Sequence, residues 1–324
     1  MADNEAKIET INKIVAGNED GFPKEVLPAL WTKVFQGSVM QALSGSVPVS
    51  LAGGAVPMPT SQPVAGIVAE GGVKPVVDIK TSIKTLTPVK TAAIFIYSDE
   101  AARANPLHTF DQLEATLAEA IARSIDTAII HGKDALTGAA LVGKESIMST
   151  ANKVKVDLAK LNQAADPAYL FNQILAAQDL VILDDEDDDD KEGFDVTGVL
   201  ASKKLRTPLL SAVDTHGRPM YQGSLDVTNK FGNVLGLPCR YSKAIHGYGR
   251  VKEKSNLAII GDFGDNLRMG FEQGMTWRRA AERAGGVDLF DRNLRAILVE
   301  ASFGWLLRDK DAFALLHTPA AVIP

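Results

Sequence analysis

The chain is poor in the features on which secreted, disulfide-stabilised and membrane proteins depend. It has one cysteine, Cys239, which excludes an internal disulfide framework and any multi-cysteine metal knuckle. No uninterrupted apolar run approaches the roughly 18 residues that a membrane-spanning helix needs. Residues 1–5 are polar and do not form the charged and apolar regions of a signal peptide. These absences predict a chain that folds inside the cell without a membrane anchor.

Positive charge is also scarce. The chain carries 34 Lys and Arg residues against 40 Asp and Glu residues, a net charge of −6. Proteins that bind nucleic acid by neutralising phosphates usually carry a clustered basic excess, and the sequence contains no such cluster. Any associated polyanion would therefore be contained by a wall of protein and not gripped at a specific site.

Signatures of catalysis are missing as well. The sequence has no phosphate-binding G-x-x-x-x-G-K-[ST] loop, no H-E-x-x-H pair and no G-x-S-x-G elbow. The five histidines are dispersed, without the spacing of metal ligands. The acidic run at residues 184–190 could attract a divalent cation, but it lacks the spaced ligands of a calcium loop and is better explained as a solvated, self-repelling loop. We predict no catalytic residue, no cofactor and no metal site.

The most informative pattern that is present predicts a long β-hairpin. Residues 53–62 are rich in Gly, Pro and Ser and are expected to form a flexible lead-in, and the sequence Glu70-Gly71-Gly72 indicates a turn. Beyond Pro75, apolar or β-branched residues alternate with polar ones up to Thr85. A two-stranded hairpin is marginally stable by itself. Its apolar face must therefore lie either on its own domain or on a neighbouring copy of the chain.

Helical periodicity and strand alternation predict the rest of the architecture. Residues 26–43 are expected to form an amphipathic helix, and Thr109 with Gln112 makes a capping box for a long helix that ends before Gly132. A new helix after Asp166-Pro167 begins a second domain. Strands are expected near residues 89–97, 196–200 and 257–260. The alternation at 297–305 predicts a strand that returns to the sheet under the long helix, which makes the first domain discontinuous.

Three local patterns, taken in order, carry a family resemblance. They are Gly236-Leu237-Pro238-Cys239 leading to Ser242; Ile259-Ile260-Gly261-Asp262-Phe263 followed by Met269-Gly270 and Gly274-Met275-Thr276; and the closing set Phe290, Arg295, Val299, Phe303 and Ala312-Phe313. Together with the order of elements, they resemble the major capsid protein family of tailed phages, the Hong Kong 97-type fold. The resemblance covers residues 23 to 316.

This resemblance implies an α+β fold with named parts. Residues 1–22 correspond to an N-terminal arm, and residues 54–90 to an extended β-hairpin loop. The peripheral domain is discontinuous and comprises 23–53, 91–165 and 276–324, with a spine helix at about 109–131. Residues 166–275 correspond to the axial domain.

The resemblance also implies a function and partners. The chain is expected to be a non-enzymatic subunit that assembles as hexamers and pentamers into an icosahedral shell around double-stranded DNA. Expected partners are other copies, a separate scaffolding protein, a portal and a decoration protein, with assembly in the bacterial cytoplasm and a final location in the virion. Because no complete cross-linking site can be matched, we predict a non-covalent shell. The candidate intersubunit contacts are Glu70, Lys74, Val77, Ile79, Lys80, Ile83 and Lys84.

Two alternatives remain at this point. One is an encapsulin-like compartment, which shares the fold but encloses protein cargo. The other is a soluble α/β enzyme with a cleft of converging polar groups. Particle size and contents would distinguish the first, and a small discrete oligomer the second.

Overall fold

The computed structural model describes residues 37–59, 65–76, 81–100, 109–160, 168–183, 193–212, 216, 218 and 231–318. The helices in these ranges are α1 Val39–Leu43, α2 Thr109–His131, α3 Tyr169–Ile182 and α4 Arg206–Ser211. The strands are β1 Gly45–Ser46, β2 Gly54–Pro59, β3 Thr81–Leu86, β4 Val89–Ser98, β5 Lys153–Lys155, β6 Gly198–Ala201, β7 Phe231–Val234, β8 Leu237–Tyr241, β9 Asn256–Gly261, β10 Leu267–Ala280, β11 Arg283–Ala284, β12 Val287–Asp288, β13 Leu294–Leu307 and β14 Phe313–His317. The predicted arm at 1–22 and the acidic run at 184–190 lie outside the described residues. The helix predicted at 26–43 is described only from residue 37, where it is not continuous: α1 begins at Val39, after Ser38, whose backbone is extended.

The long helix α2 has the span that the sequence predicted. It spans Thr109–His131, and Gly132 follows it with φ +63°, a left-handed conformation that glycine adopts without steric cost. The Gly132 amide donates to the Ala128 carbonyl at 2.9 Å and closes the last turn. Ile121, Ile125 and Ile129 form its buried stripe. We call α2 the spine helix.

A four-stranded sheet lies under the spine helix, in the order β1-β10-β13-β4. The return strand predicted at 297–305 is the centre of β13, which pairs antiparallel with both β10 and β4. Alternate residues of β13, including Val299 and Phe303, belong to the same core cluster as the isoleucines of the spine helix. The prediction that the C-terminal part of the chain returns to this sheet is therefore confirmed.

A second sheet has six strands, in the order β5-β14-β9-β6-β8-β7. Helix α3 packs on it through Leu170, Ile174, Ala177 and Val181, which are buried in a second core cluster. Cys239 lies on β8 in this core and is 1% exposed.

The two sheets draw strands from segments that the predicted domains separate. β14 lies in the predicted peripheral segment 276–324, yet it pairs with β9, and β5 joins β14 from the other side. β10 crosses the predicted boundary at residue 275 as one 14-residue strand. Strand pairing over such sequence distances leaves no local sequence signal. The domain assignment stays a prediction.

The hairpin of β2 and β3 corrects one expectation from the sequence. Residues 54–59 are not a flexible lead-in but the strand β2, which pairs antiparallel with β3 from Gly54↔Leu86 to Pro59↔Thr81. Proline has no N–H, so the Pro57↔Ile83 pair is of the non-hydrogen-bonded kind, with the Pro57 nitrogen on the strand's outer edge. Pro59, two residues along, has the same orientation. The prolines are therefore compatible with this edge strand.

Candidate functional site: the hairpin and its base

The two faces of the hairpin differ in exposure. Residues of β3 alternate: Thr81, Ile83 and Thr85 face solvent, while Lys84 and Leu86 turn inward. The Ile83 side chain is 69% exposed on the outward face. An isoleucine so exposed on an ordered strand is surface that a binding partner could cover.

The hairpin turn, residues 65–76, adds further exposed apolar surface. Gly71 has φ +78°, and the Gly72 amide donates to the Ala69 carbonyl at 2.9 Å, which closes the turn that the sequence predicted. Ile67, Val73 and Val76 are almost fully exposed. Several branched apolar side chains facing solvent on one projecting element are the pattern of an interaction surface.

The predicted contact candidates fall into three groups. Glu70 and Lys74 are exposed in the hairpin turn, and Ile83 is exposed on the outward face of β3. Lys84 turns towards its own chain. The others, Val77, Ile79 and Lys80, lie outside the described residues.

At the base of the hairpin, two lysines make contacts that the sequence did not predict. The Lys84 Nζ donates to Glu145 Oε2 at 2.7 Å and to the Leu307 carbonyl at 2.9 Å. The Lys144 Nζ donates to the carbonyl and hydroxyl of Thr87 and lies 5.3 Å from the centre of the Trp305 ring. Burial lowers the pKa of Lys144 from its usual value. These residues tie the hairpin to the body.

The base contacts surround an open space. A cavity of about 200 Å³ is lined by both lysines, Glu145, Gly143 and Trp305. The Trp305 indole N–H donates to the Glu145 carbonyl at 2.8 Å and fixes the loop that carries Glu145. Lys84 and Glu145 are 61 positions apart in the sequence, and Lys144 and Thr87 are 57 apart. Pairs so distant form no local motif, so the sequence did not predict this site.

A buried carboxylate holds the segment that leads into the hairpin. Asp126 of the spine helix accepts from the Ser38 hydroxyl at 2.8 Å and from the backbone amides of Val39 and Met40 at 3.1 Å. Burial raises the pKa of Asp126 to about 6, against the lowering effect of these hydrogen bonds. Helix α1 is thus fastened to the spine helix at its first turn.

One pair of residues has the form of a catalytic dyad but a structural role. The Ser202 hydroxyl lies 2.7 Å from His246 Nε2, and His246 Nδ1 lies 3.3 Å from the Glu253 carbonyl. Ser202 is 1% exposed and also caps a helical turn by accepting from the Lys204 amide. Burial lowers the pKa of His246. A serine sealed from solvent cannot meet a substrate, so the pair fastens two loops together.

Within the described ranges, no group of three or more His, Cys, Asp or Glu side chains could hold a metal ion. The helices of the described part of the chain are all too short or too polar to span a membrane. Burial raises the pKa of the Cys239 thiol to about 12, so this group is not a ready nucleophile.

The spine helix packed on the four-stranded sheet, the separate six-stranded sheet and the hairpin together define a shell-forming protein of the Hong Kong 97 type. Residues 20–318 match the phage capsid family. The chain belongs to the phage capsid family.

Individual relatives agree with this assignment. The probable major capsid protein gp17 of Mycobacterium phage L5 is 26% identical, with 86% of this chain and 83% of the relative covered. The protein of the same description in Mycobacterium phage D29 is 24% identical, with 86% and 84% covered. A solved structure from Gordonia phage Cozz is 26% identical, covers 87% of both chains and has a TM-score of 0.72. The capsid of a native GTA particle, at 14% identity and a TM-score of 0.57, shares the fold.

Proposed function

We propose that the chain is the major capsid protein of a phage head, which self-assembles as hexamers and pentamers into an icosahedral shell around double-stranded DNA. The observation that carries this proposal is the projecting hairpin, whose apolar outward face at Ile83 is exposed in the single chain. In a closed shell, each copy meets others through the same set of surfaces, so the exposed apolar face of one copy is covered by the next.

In this proposal the function is geometric and not catalytic. The hairpin contacts a neighbouring copy through Glu70, Lys74, Val77, Ile79, Lys80 and Ile83, without a covalent cross-link. Lys84, also among the candidates, is engaged with its own chain at Glu145. The discontinuous peripheral domain carries the hairpin, and the axial domain gathers around the centre of each hexamer or pentamer.

The proposal extends to partners and location. A separate scaffolding protein, a portal and a decoration protein complete the head, which assembles in the bacterial cytoplasm and is released as the virion. The net charge of −6 favours enclosure of DNA over tight binding to it, because a surface without a basic excess gains little from phosphate neutralisation.

Negative-stain electron microscopy with size-exclusion chromatography tests this function. The chain is expressed alone and together with the neighbouring phage genes. Icosahedral shells, or hexamers and pentamers, support the proposal, and nuclease-protected DNA in particles from infected cells supports the head. Particles filled with protein cargo would instead indicate an encapsulin-like compartment. A stable monomer or dimer under both conditions would contradict the proposal.

A further inference from the structure

The base of the hairpin is fastened by two contacts that run in opposite directions. Lys84 reaches from the hairpin to the body, where its Nζ meets Glu145 Oε2 and the Leu307 carbonyl. Lys144 reaches from the body to the connector after β3, where its Nζ meets two oxygens of Thr87. Each ammonium group thus has two oxygen acceptors on the other side of the junction.

The spacing of these contacts restricts rotation as well as distance. Lys84 and Thr87 are three residues apart, which corresponds to roughly 10 Å along an extended chain. One contact would allow the hairpin to pivot about it, whereas two contacts at this spacing define an angle. The Trp305 indole, under Lys144 and bonded to the Glu145 carbonyl, holds the body side of both contacts in place.

Packing fills only part of the base. Leu86 is buried next to β13, but a cavity of about 200 Å³ lined by both lysines leaves unfilled space beside them. Gly53, immediately before β2, has φ +79°, a conformation that bends the second connector of the hairpin. A partly exposed ion pair contributes little to global stability, so these contacts matter for orientation more than for folding.

We propose that Lys84 and Lys144 are positioning residues that form a clamp, with Glu145 and Thr87 as their acceptors, and that this clamp sets the angle at which the hairpin leaves the body. The hairpin works as a lever. With a pivot at Pro88, a shift of 1 Å at Lys84 becomes about 2 Å at Thr81, because Thr81 lies nearly twice as far along the strand. The clamp belongs to the single chain and goes beyond the proposed function.

Charge reversal tests the clamp, with the angle itself as the readout. Spin labels on Thr81→Cys and Leu136→Cys report the hairpin-to-body distance by pulsed electron resonance in the unassembled chain. Both positions are exposed, whereas Cys239 is buried with a raised pKa and resists labelling. The variants are Lys84→Glu, Glu145→Lys and the two combined.

We expect each single reversal to widen the distance distribution about twofold, because like charges then face each other at the base. The double variant restores an opposite pair and narrows the distribution again, as a coupled pair requires. Lys74→Glu, the same charge change on the exposed hairpin turn, leaves the width unchanged. Lys84→Met removes the contact without reversing charge and replaces Lys84→Glu if that variant fails to fold.

Two results would overturn the clamp: an unchanged width in Lys84→Glu or Lys84→Met, or a double variant as wide as the single ones. The readout uses the unassembled chain, so it does not depend on the assembly test. Failure to form shells would contradict the proposed function and leave the clamp measurement unaffected. A fixed hairpin angle in every variant would contradict the clamp alone.

Discussion

Replacing Asp126 with alanine removes the acceptor that fastens α1 to the spine helix. Three donors lose their partner: the Ser38 hydroxyl and the backbone amides of Val39 and Met40. Met40 is fully buried, so water does not readily replace the carboxylate there. Asp126→Asn is the matched variant, because its amide oxygen can still accept while the charge is gone.

The magnitude follows from two opposing effects. A buried donor left unsatisfied costs about 1–3 kcal/mol, which for three donors gives a gross loss of roughly 6 kcal/mol. Burial raises the pKa of Asp126 from 3.8 to about 6, so the charged carboxylate destabilises the fold at neutral pH by about 3 kcal/mol relative to a neutral group. Alanine removes both effects, and the net loss in the free energy of unfolding is about 3 kcal/mol. Asparagine keeps an acceptor and costs less.

The pH dependence gives a sharper test than the loss at one pH. Because Asp126 binds a proton more readily in the folded chain than in the unfolded one, its stabilising contribution is full below pH 3.8 and is lost as the pH rises through about 6. Denaturant titrations of the native chain and of Asp126→Asn from pH 4 to 7 measure this loss of stability, and hydrogen exchange at the amides of α1 shows where it arises. Parallel stability curves for the native chain and Asp126→Asn would refute the burial argument. An Ala variant as stable as the Asn variant would refute the role of the three hydrogen bonds.

Three further predictions concern assembly, packing and pH. Ile83→Asp should abolish shell formation without lowering the unfolding midpoint, because Ile83 is 69% exposed in the single chain; shells in normal yield by electron microscopy would contradict the contact. Gly270→Ala should cost about 1–3 kcal/mol in denaturant unfolding, because its Cβ would lie 1.9 Å from the Val47 carbonyl oxygen. Gly54→Ala, which meets nothing within 4 Å, is the control, and equal losses would refute the clash. Burial lowers the pKa of His246 below 6.5, so the stability that the neutral imidazole contributes is present above that pH and is lost as the pH falls. Between pH 7 and 5, the free energy of unfolding of His246→Gln should therefore fall less than that of the native chain. Equal slopes of the two proteins' unfolding free energies against pH would contradict this.

Much of the fold could be predicted because its signals are local. The sequence of the spine helix offers a capping-box pattern at one end and a glycine at the other, and its predicted span is the observed Thr109–His131. The strand predicted at 89–97 is the observed Val89–Ser98, and the alternation at 297–305 is the core of β13. Capping and side-chain alternation depend on neighbours a few residues away, so the sequence displays them directly.

What could not be predicted depends on contacts between distant residues. Lys84 belongs to a strand of alternating exposure, and the alternation shows that it shares a face with Leu86. The alternation does not show that Lys84 pairs with Glu145, 61 residues later. The pairing of β14 with β9 and β5 likewise leaves no trace in either segment alone. The strand β2 was hidden for a different reason: prolines in a sequence usually indicate a break, and only an edge position makes them compatible with pairing.

The prolines of β2 bear on how such a protein avoids fibres. An unpaired strand edge invites the same strand of another molecule to pair with it. Pro57 and Pro59 both direct a nitrogen without hydrogen towards that outer edge. A second hairpin that approached in register would find carbonyl oxygens there but few N–H donors, so a ladder could not grow from one molecule to the next. The chain thus exposes the apolar side chains of its hairpin while its backbone resists open-ended polymerisation.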